Sequence, residues 1–205
     1  VMISGYKTVF KNAGPVEIKE KKSKFISFLM HVNSIEEAEE KVAQLRKDHY
    51  DATHICYAYI VGFGSDEKFR FNDDGEPSRT AGYPIYLEIK RLGITDVIVC
   101  SVRYFGGTKL GTGGLVRAYS ASAKAVLETA DISEVILKKD IKVQVPFDMT
   151  GMMMKHVENW KNAETATIDY NETGALMEIK VPIDTIESFI LTIKEKSAGK
   201  IKVIS

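Results

Sequence analysis

The last third of the chain has the most regular alternation of apolar and polar positions. From Lys139 to Val145, apolar Ile141, Val143 and Val145 alternate with polar neighbours, a period of two that predicts a strand ending at Pro146. Asp148 or Thr150 is placed to cap a helix reaching about Asn162, with Met153, Val157 and Trp160 on one face. Met152 and Met154 read as the rim of that face. Ala166, Ile168 and Tyr170 alternate again, Asn171–Gly174 is a turn signal, and Leu176–Val181 is the return strand of a hairpin. Asp184 with Glu187 resembles a capping pair before a helix carrying Ile186, Phe189, Ile190 and Ile193. Gly199 is its stop, and Ile201–Ile204 a final strand. The order βαββαβ is the ferredoxin-like unit. A linker near Ala130–Ser133 separates it from what precedes, giving domains 1–132 and 133–205.

The first part is mixed α+β. Phe25–Val32 reads as a strand, and Ser34 with Glu37 as a capping box before a helix with Ile35, Ala38, Val42 and Leu45 on one face. His54–Val61 is a strand, Asn72–Gly82 a polar turn region, and a short helix follows with Ile85, Ile89 and Leu92 inward. Asp96–Tyr104 is a strongly apolar strand, Phe105–Gly114 a glycine-rich loop, and Leu115–Ala130 an alanine-rich helix. No internal repeat or low-complexity segment interrupts the pattern.

The 205 residues hold 28 Lys/Arg and 28 Asp/Glu, a formal charge of zero. That balance excludes coating of nucleic acid through bulk charge, but not a local basic patch. Residues 1–139 carry 20 Lys/Arg and 18 Asp/Glu, so no half is a charged tail. The two cysteines, Cys56 and Cys100, lie in apolar runs and read as reduced core thiols. VMISGYKTVF lacks the apolar stretch of a signal peptide, and no run has the length of a membrane helix, so a soluble cytoplasmic protein without membrane contact is expected.

Chemistry concentrates in two motifs. VRYFGGTKLGTGGLVRAYS, residues 102–120, runs strand, glycine loop, helix. Gly106, Gly107, Gly111, Gly113 and Gly114 permit positive φ and close backbone approach. The loop ends at a helix N-terminus that favours an anion, with Arg103, Lys109 and Arg117 adding positive charge. Walker A and dinucleotide fingerprints both fail: Thr112 follows Gly111, and Val116 stands where a third Gly is needed. The loop therefore reads as a pocket for phosphate or a nucleic-acid backbone, or else as a packed turn with Arg117 paired to an internal carboxylate. The second motif, FNDDGEPSRTAGYP, places Asp73, Asp74 and Glu76 in one turn beside Thr80. Such oxygens suit Mg²⁺ with a phosphate, but calcium-loop spacing is absent; the plainer reading has Glu76 bonding Arg103 or Arg117, and no dedicated metal site. His54 and Cys56 share a strand face without two further soft ligands, so His54 reads as a buried supporting group. Lys21, Lys22 and Lys24 form a short basic run, either a solvated edge or a phosphate contact.

KKSKFIS, THICYAY, DDGEPSRTAGYP and VRYFGGTKLGTGGLVRAY together resemble the Impact family, in the two-domain form of its bacterial YigZ-like members. The resemblance spans about residues 15–130. It implies an N-terminal domain with the fold of the second domain of small-subunit ribosomal protein five. It also implies a C-terminal domain similar to the last domain of elongation factor G. Arg79 departs from the small residue usual there, and Tyr83 from the Lys found in many relatives. Because the family's eukaryotic branch regulates translation under amino-acid starvation, the function expected is translation-linked regulation through binding RNA or a ribosomal component. The second domain's sheet would be a further contact surface. An enzyme or sensor for a small phosphorylated ligand, and a protein-binding adaptor, are the alternatives. No catalytic residue, cofactor or DNA specificity is indicated.

Overall fold

A computed structural model describes residues 4–204, which form an α+β chain of two compact units. The larger is Tyr6–Glu134; the smaller begins at Val135 and also takes in Gly5. Strand β1 (Gly5–Val9) pairs with β7 (Ile132–Ile136) in a two-stranded sheet.

The larger unit is built on a five-stranded antiparallel sheet, ordered β2 (Ala13–Glu20), β3 (Ser23–His31), β6 (Val97–Tyr104), β4 (His54–Val61) and β5 (Lys68–Asn72). Helices cover both faces. Cys56, Ala58 and Ile60 of β4 and Val97 and Val99 of β6 pack with α2 (Gly82–Leu92) and α3 (Thr112–Leu127). Tyr57 and Tyr59 with Ile98 and Cys100 pack on the other side with α1 (Ile35–Asp48). Burial on both faces explains why the two central strands read as continuous apolar runs rather than alternations. The edge strands β2 and β5 and the short β1 lack such runs; β2 and β5 offer only the brief alternations Val16–Ile18 and Phe69–Phe71.

Ser34 caps α1 by accepting the Glu37 N–H at 3.2 Å; Glu37 reaches back one residue further than a capping box requires, to the Asn33 N–H at 2.9 Å. Helix α3 begins at Thr112, three residues earlier than the alanine-rich run implies. Gly113 and Gly114 therefore lie in its first turn. Of the five motif glycines only Gly107 (φ 81°) and Gly111 (φ 72°) take positive φ. The alanines and serines of α3 allow it to sit close on the sheet: Ser27 Oγ donates to Ser122 O at 2.8 Å, and Ser101 Oγ lies 2.9 Å from Ser122 Oγ.

The smaller unit has the sheet order β11 (Lys202–Val203), β8 (Lys138–Val145), β10 (Gly174–Pro182), β9 (Glu164–Asn171), in antiparallel pairs. Helices α4 (Thr150–Asn159) and α5 (Ile186–Lys196) bury Met153, Val157, Phe189 and Ile193 against Val143, Met177 and Ile179. Two capping expectations fail. Neither Asp148 nor Thr150 caps α4, because a 3₁₀ turn at Phe147–Met149 leads into it and Thr150 Oγ1 donates instead to Pro146 O. The N-cap of α5 is Thr185, which makes no side-chain cap bond, so the Asp184–Glu187 pair forms no capping box. Gly199 (φ 76°) does stop α5, its N–H donating to Lys194 O at 2.9 Å. Among the described residues no helix is long and apolar enough to cross a membrane.

Candidate functional site

Strand register assembles the site. Phe25 of β3 and His54 of β4 both pair with Arg103 of β6, so the three lie side by side across the sheet on the face that α3 covers. Arg103 is 5% exposed. Its Nη1 donates to Glu76 Oε1 at 2.5 Å and its Nη2 to Ser23 Oγ at 3.4 Å. Its guanidinium lies between the rings of Phe25 and Phe105, 5.6 and 5.5 Å from their centroids. Its buried Nε has no hydrogen-bond partner. Glu76 Oε1 also accepts from Tyr119 Oη at 2.7 Å. Burial pushes the Tyr119 phenol well above its ordinary value, with the Glu76 carboxylate adding to the effect. Burial likewise pushes the Cys56 thiol up, so it is no thiolate nucleophile.

The DDGEP turn is organised by its own carboxylates. Asp73 Oδ1 accepts from the Ala81 and Gly82 N–H groups at 3.0 and 2.8 Å, and Oδ2 from the Arg79 N–H at 2.7 Å. It thereby supplies the cap that Ala81 cannot make for α2. Asp74 Oδ2 accepts from the Ile55 N–H at 2.6 Å, and Oδ1 from Arg46 Nη2 at 2.8 Å. The backbone carbonyls face the strand: Cys56 Sγ donates to Asp73 O at 3.1 Å, and His54 Nδ1 lies 2.7 Å from Asp74 O. A carbonyl only accepts, so His54 Nδ1 carries a proton, and Nε2 is an acceptor when the ring is neutral. Thr80 is buried and donates within the turn to Pro77 O at 2.7 Å. With Asp73 and Asp74 holding amides and Arg46, the described residues bring no group of three or more His, Cys, Asp or Glu together as a metal site.

Beside this cluster is a cavity of about 450 Å³, lined by His54, Glu76 and Arg103 together with Thr53, Pro77, Phe105, Lys109, Leu110, Gly111, Thr112 and Leu115. Helix α3 enters with Gly111 as N-cap and no side-chain cap bond. Of the residues the sequence singles out, Arg103, Lys109, Gly111, His54 and Glu76 line the cavity; Gly106, Gly107, Gly113, Gly114, Arg117, Asp73, Asp74 and Thr80 do not. Gly106 acts from behind: a Cβ there would overlap the Lys22 carbonyl, so the glycine loop and the β2–β3 hairpin turn are packed backbone to backbone. That contact brings the basic run at Lys21 and Lys22 beside the loop carrying Lys109. Arg117 is exposed over the first turn of α3, its Nη1 3.6 Å from where a Gly113 Cβ would stand. No carboxylate of the described residues pairs with Lys21, Lys22, Lys109 or Arg117, whereas Arg46, Arg70, Lys90 and Arg91 each have one. Sequence reasoning misses Phe105, Tyr119 and Leu115. The available signal is Phe105 itself, an aromatic between Arg103 and Lys109 that is 46% exposed.

In the smaller unit the sheet face away from the helices carries a Lys142–Glu178 pair at 2.6 Å and a Gln144–Asn171 amide pair at 2.9 Å. Tyr170 pairs with buried Ala175, which assigns its ring to the other face.

A family model described as the Impact N-terminal domain matches residues 21–127. The IMPACT family member YvyE of Bacillus subtilis (strain 168) is 35% identical over 216 residues, covering 98% of this chain and 99% of the relative. The member YigZ of Escherichia coli (strain K12) is 30% identical over 197 residues, covering 94% and 95%. A solved structure described as the crystal structure of an hypothetical protein overlays with a TM-score of 0.65 at 26% identity, covering 100% of this chain and 98% of that one.

Proposed function

The chain belongs to the Impact family, and on that footing we propose that it is a translation-linked regulatory protein that binds RNA, free or ribosomal, through the basic rim of the larger unit. The family resemblance supplies the translational part of this reading. The RNA part rests on one observation: the Gly106 contact packs the basic turn Lys21–Lys22 against the loop carrying Lys109, which itself lines a cavity beside an uncapped helix N-terminus. Unpaired cations there suit phosphates, which carry most of the affinity in nucleic-acid binding. In this reading Arg103, Gly106, Gly107, Lys109, Gly111, Gly113, Gly114 and Arg117 form the anion- or nucleic-acid-binding loop. His54, Asp73, Asp74, Glu76 and Thr80 support it from below. The larger unit then has the ribosomal-protein-five type of fold and the smaller the ferredoxin-like one, as domains 1–132 and 133–205.

The test is sedimentation of the full chain with ribosomes and structured RNA in a low-salt gradient. Co-migration that Arg117→Glu weakens supports the reading. Clean separation at micromolar protein overturns it.

A further inference from the structure

The cavity differs from the rim around it, and that difference identifies a ligand. The rim is cationic, but Phe105, Leu110, Leu115 and Pro77 make most of the wall apolar. A sugar-phosphate backbone has no use for such a wall, whereas a flat heterocycle does. The volume of about 450 Å³ is within the range that encloses a small ligand.

The polar groups on the floor specify which heterocycle. Glu76 has its Oε1 held by Arg103 and Tyr119, while its Oε2 has no hydrogen-bond partner among the described residues; His54 Nε2 lies 3.9 Å from Oε1. His54 Nδ1 faces the Asp74 carbonyl, so Nε2 of the neutral ring has a lone pair to offer. These are two acceptors side by side, and they call for two donors on the ligand. Two adjacent donors are what the Watson–Crick edge of guanine offers: N1–H and the N2 amine. Adenine and cytosine offer a single amine, and uracil a single N–H. The exposed Phe105 ring, backed by the Arg103 guanidinium, is the stacking surface. At the mouth, Lys109 and the α3 N-terminus meet the attached phosphate.

We propose that the cavity holds one unstacked guanine nucleotide, its donor edge on Glu76 and His54, its ring on Phe105 and its phosphate toward Lys109. The source of that nucleotide, a guanosine in single-stranded RNA, rests on the RNA reading above. The experiment measures binding of the full chain to labelled uridine oligomers carrying one central guanosine, inosine or adenosine, and to free guanosine monophosphate. The expected result is about tenfold tighter binding with guanosine than with adenosine. Inosine, which lacks the N2 amine, falls between them. Phe105→Ala, at an exposed ring outside the core, and Glu76→Gln each bring the guanosine and adenosine oligomers to equal affinity. Equal, salt-dependent affinity of the unaltered protein for every oligomer overturns the guanine pocket and leaves the RNA reading standing. Inosine binding as well as guanosine overturns the two-donor edge. Binding of guanosine monophosphate that Phe105→Ala abolishes, with no oligomer bound, keeps the pocket and overturns the RNA reading. No binding of any probe overturns both.

Discussion

Arg103 and Glu76 form a buried ion pair, 6% and 4% exposed at their side chains, with Tyr119 donating to the same carboxylate oxygen. Removing one partner of such a pair leaves an uncompensated charge in the core, which costs about 3–5 kcal/mol. Arg103→Ala should lower stability by that order in urea unfolding, and adding Glu76→Gln should cost less than the sum of the two single changes. The sequence makes this pair legible as an alternative, since it offers Glu76 to either Arg103 or Arg117; strand register decides for Arg103. Asp73 and Asp74 were legible as carboxylates but not as caps, because their partners are backbone N–H groups that no residue type reveals. His156 gives a separate check in the smaller unit. It is buried against Phe189 and Trp160, and its Nδ1 lies 3.3 Å from Lys196 Nζ. Burial, then the Lys196 charge, lowers its pKa from the ordinary 6.5. The folded state therefore binds this proton less readily than the unfolded chain does. Its contribution to stability is present above 6.5 and is lost as pH falls toward the lowered folded value. Thermal unfolding across that interval should show the decline, and His156→Gln should flatten it.

At the scale of elements, the β2–β3 turn carries the most information. Its two residues, Lys21 and Lys22, both take positive φ (42° and 70°), where Asn-Gly is the favoured pair. A side chain in that region costs about 1–2 kcal/mol, and strain of this kind is commonly kept where a side chain is needed for function. Replacing the pair by Lys21→Asn and Lys22→Gly should therefore raise stability by about 1 kcal/mol, read as a higher midpoint of urea unfolding. The same change should weaken RNA binding and reduce its salt slope by about 1.4, two cations at 0.7 each. Higher stability with unchanged binding would show the turn to be only a solvated edge. Pattern alone gives α1 and the hairpin of the smaller unit by their periods, and β4 by its continuous apolar run. It does not reach β2 and β5, whose alternations, Val16 with Ile18 and Phe69 with Phe71, are only three residues long. It also started α3 late, since glycines in a first helical turn look like loop until the backbone places them.

Across the whole molecule the charge sums to zero, yet among the described residues Lys21, Lys22, Lys109 and Arg117 have no acidic partner while Lys41, Arg46, Lys90 and Arg91 do. The sequence separates Lys21–Lys22 from Lys109 by more than eighty positions, and the Gly106 contact that unites them is a property of the fold. If domains 1–132 and 133–205 are separate folding units, limited proteolysis should cut first near residue 132 and release two resistant fragments, with RNA binding retained by the larger. The most direct test of the account is the salt dependence of RNA binding by the full chain. With three or four of these cations on phosphates, log Kobs should fall with log salt at a slope of about −2 to −3. Lys22→Glu with Arg117→Glu should weaken binding and make that slope shallower by about 1 or more. Binding with no salt dependence, or a slope and affinity unchanged in the double variant, would contradict the claim that this rim is where RNA is held.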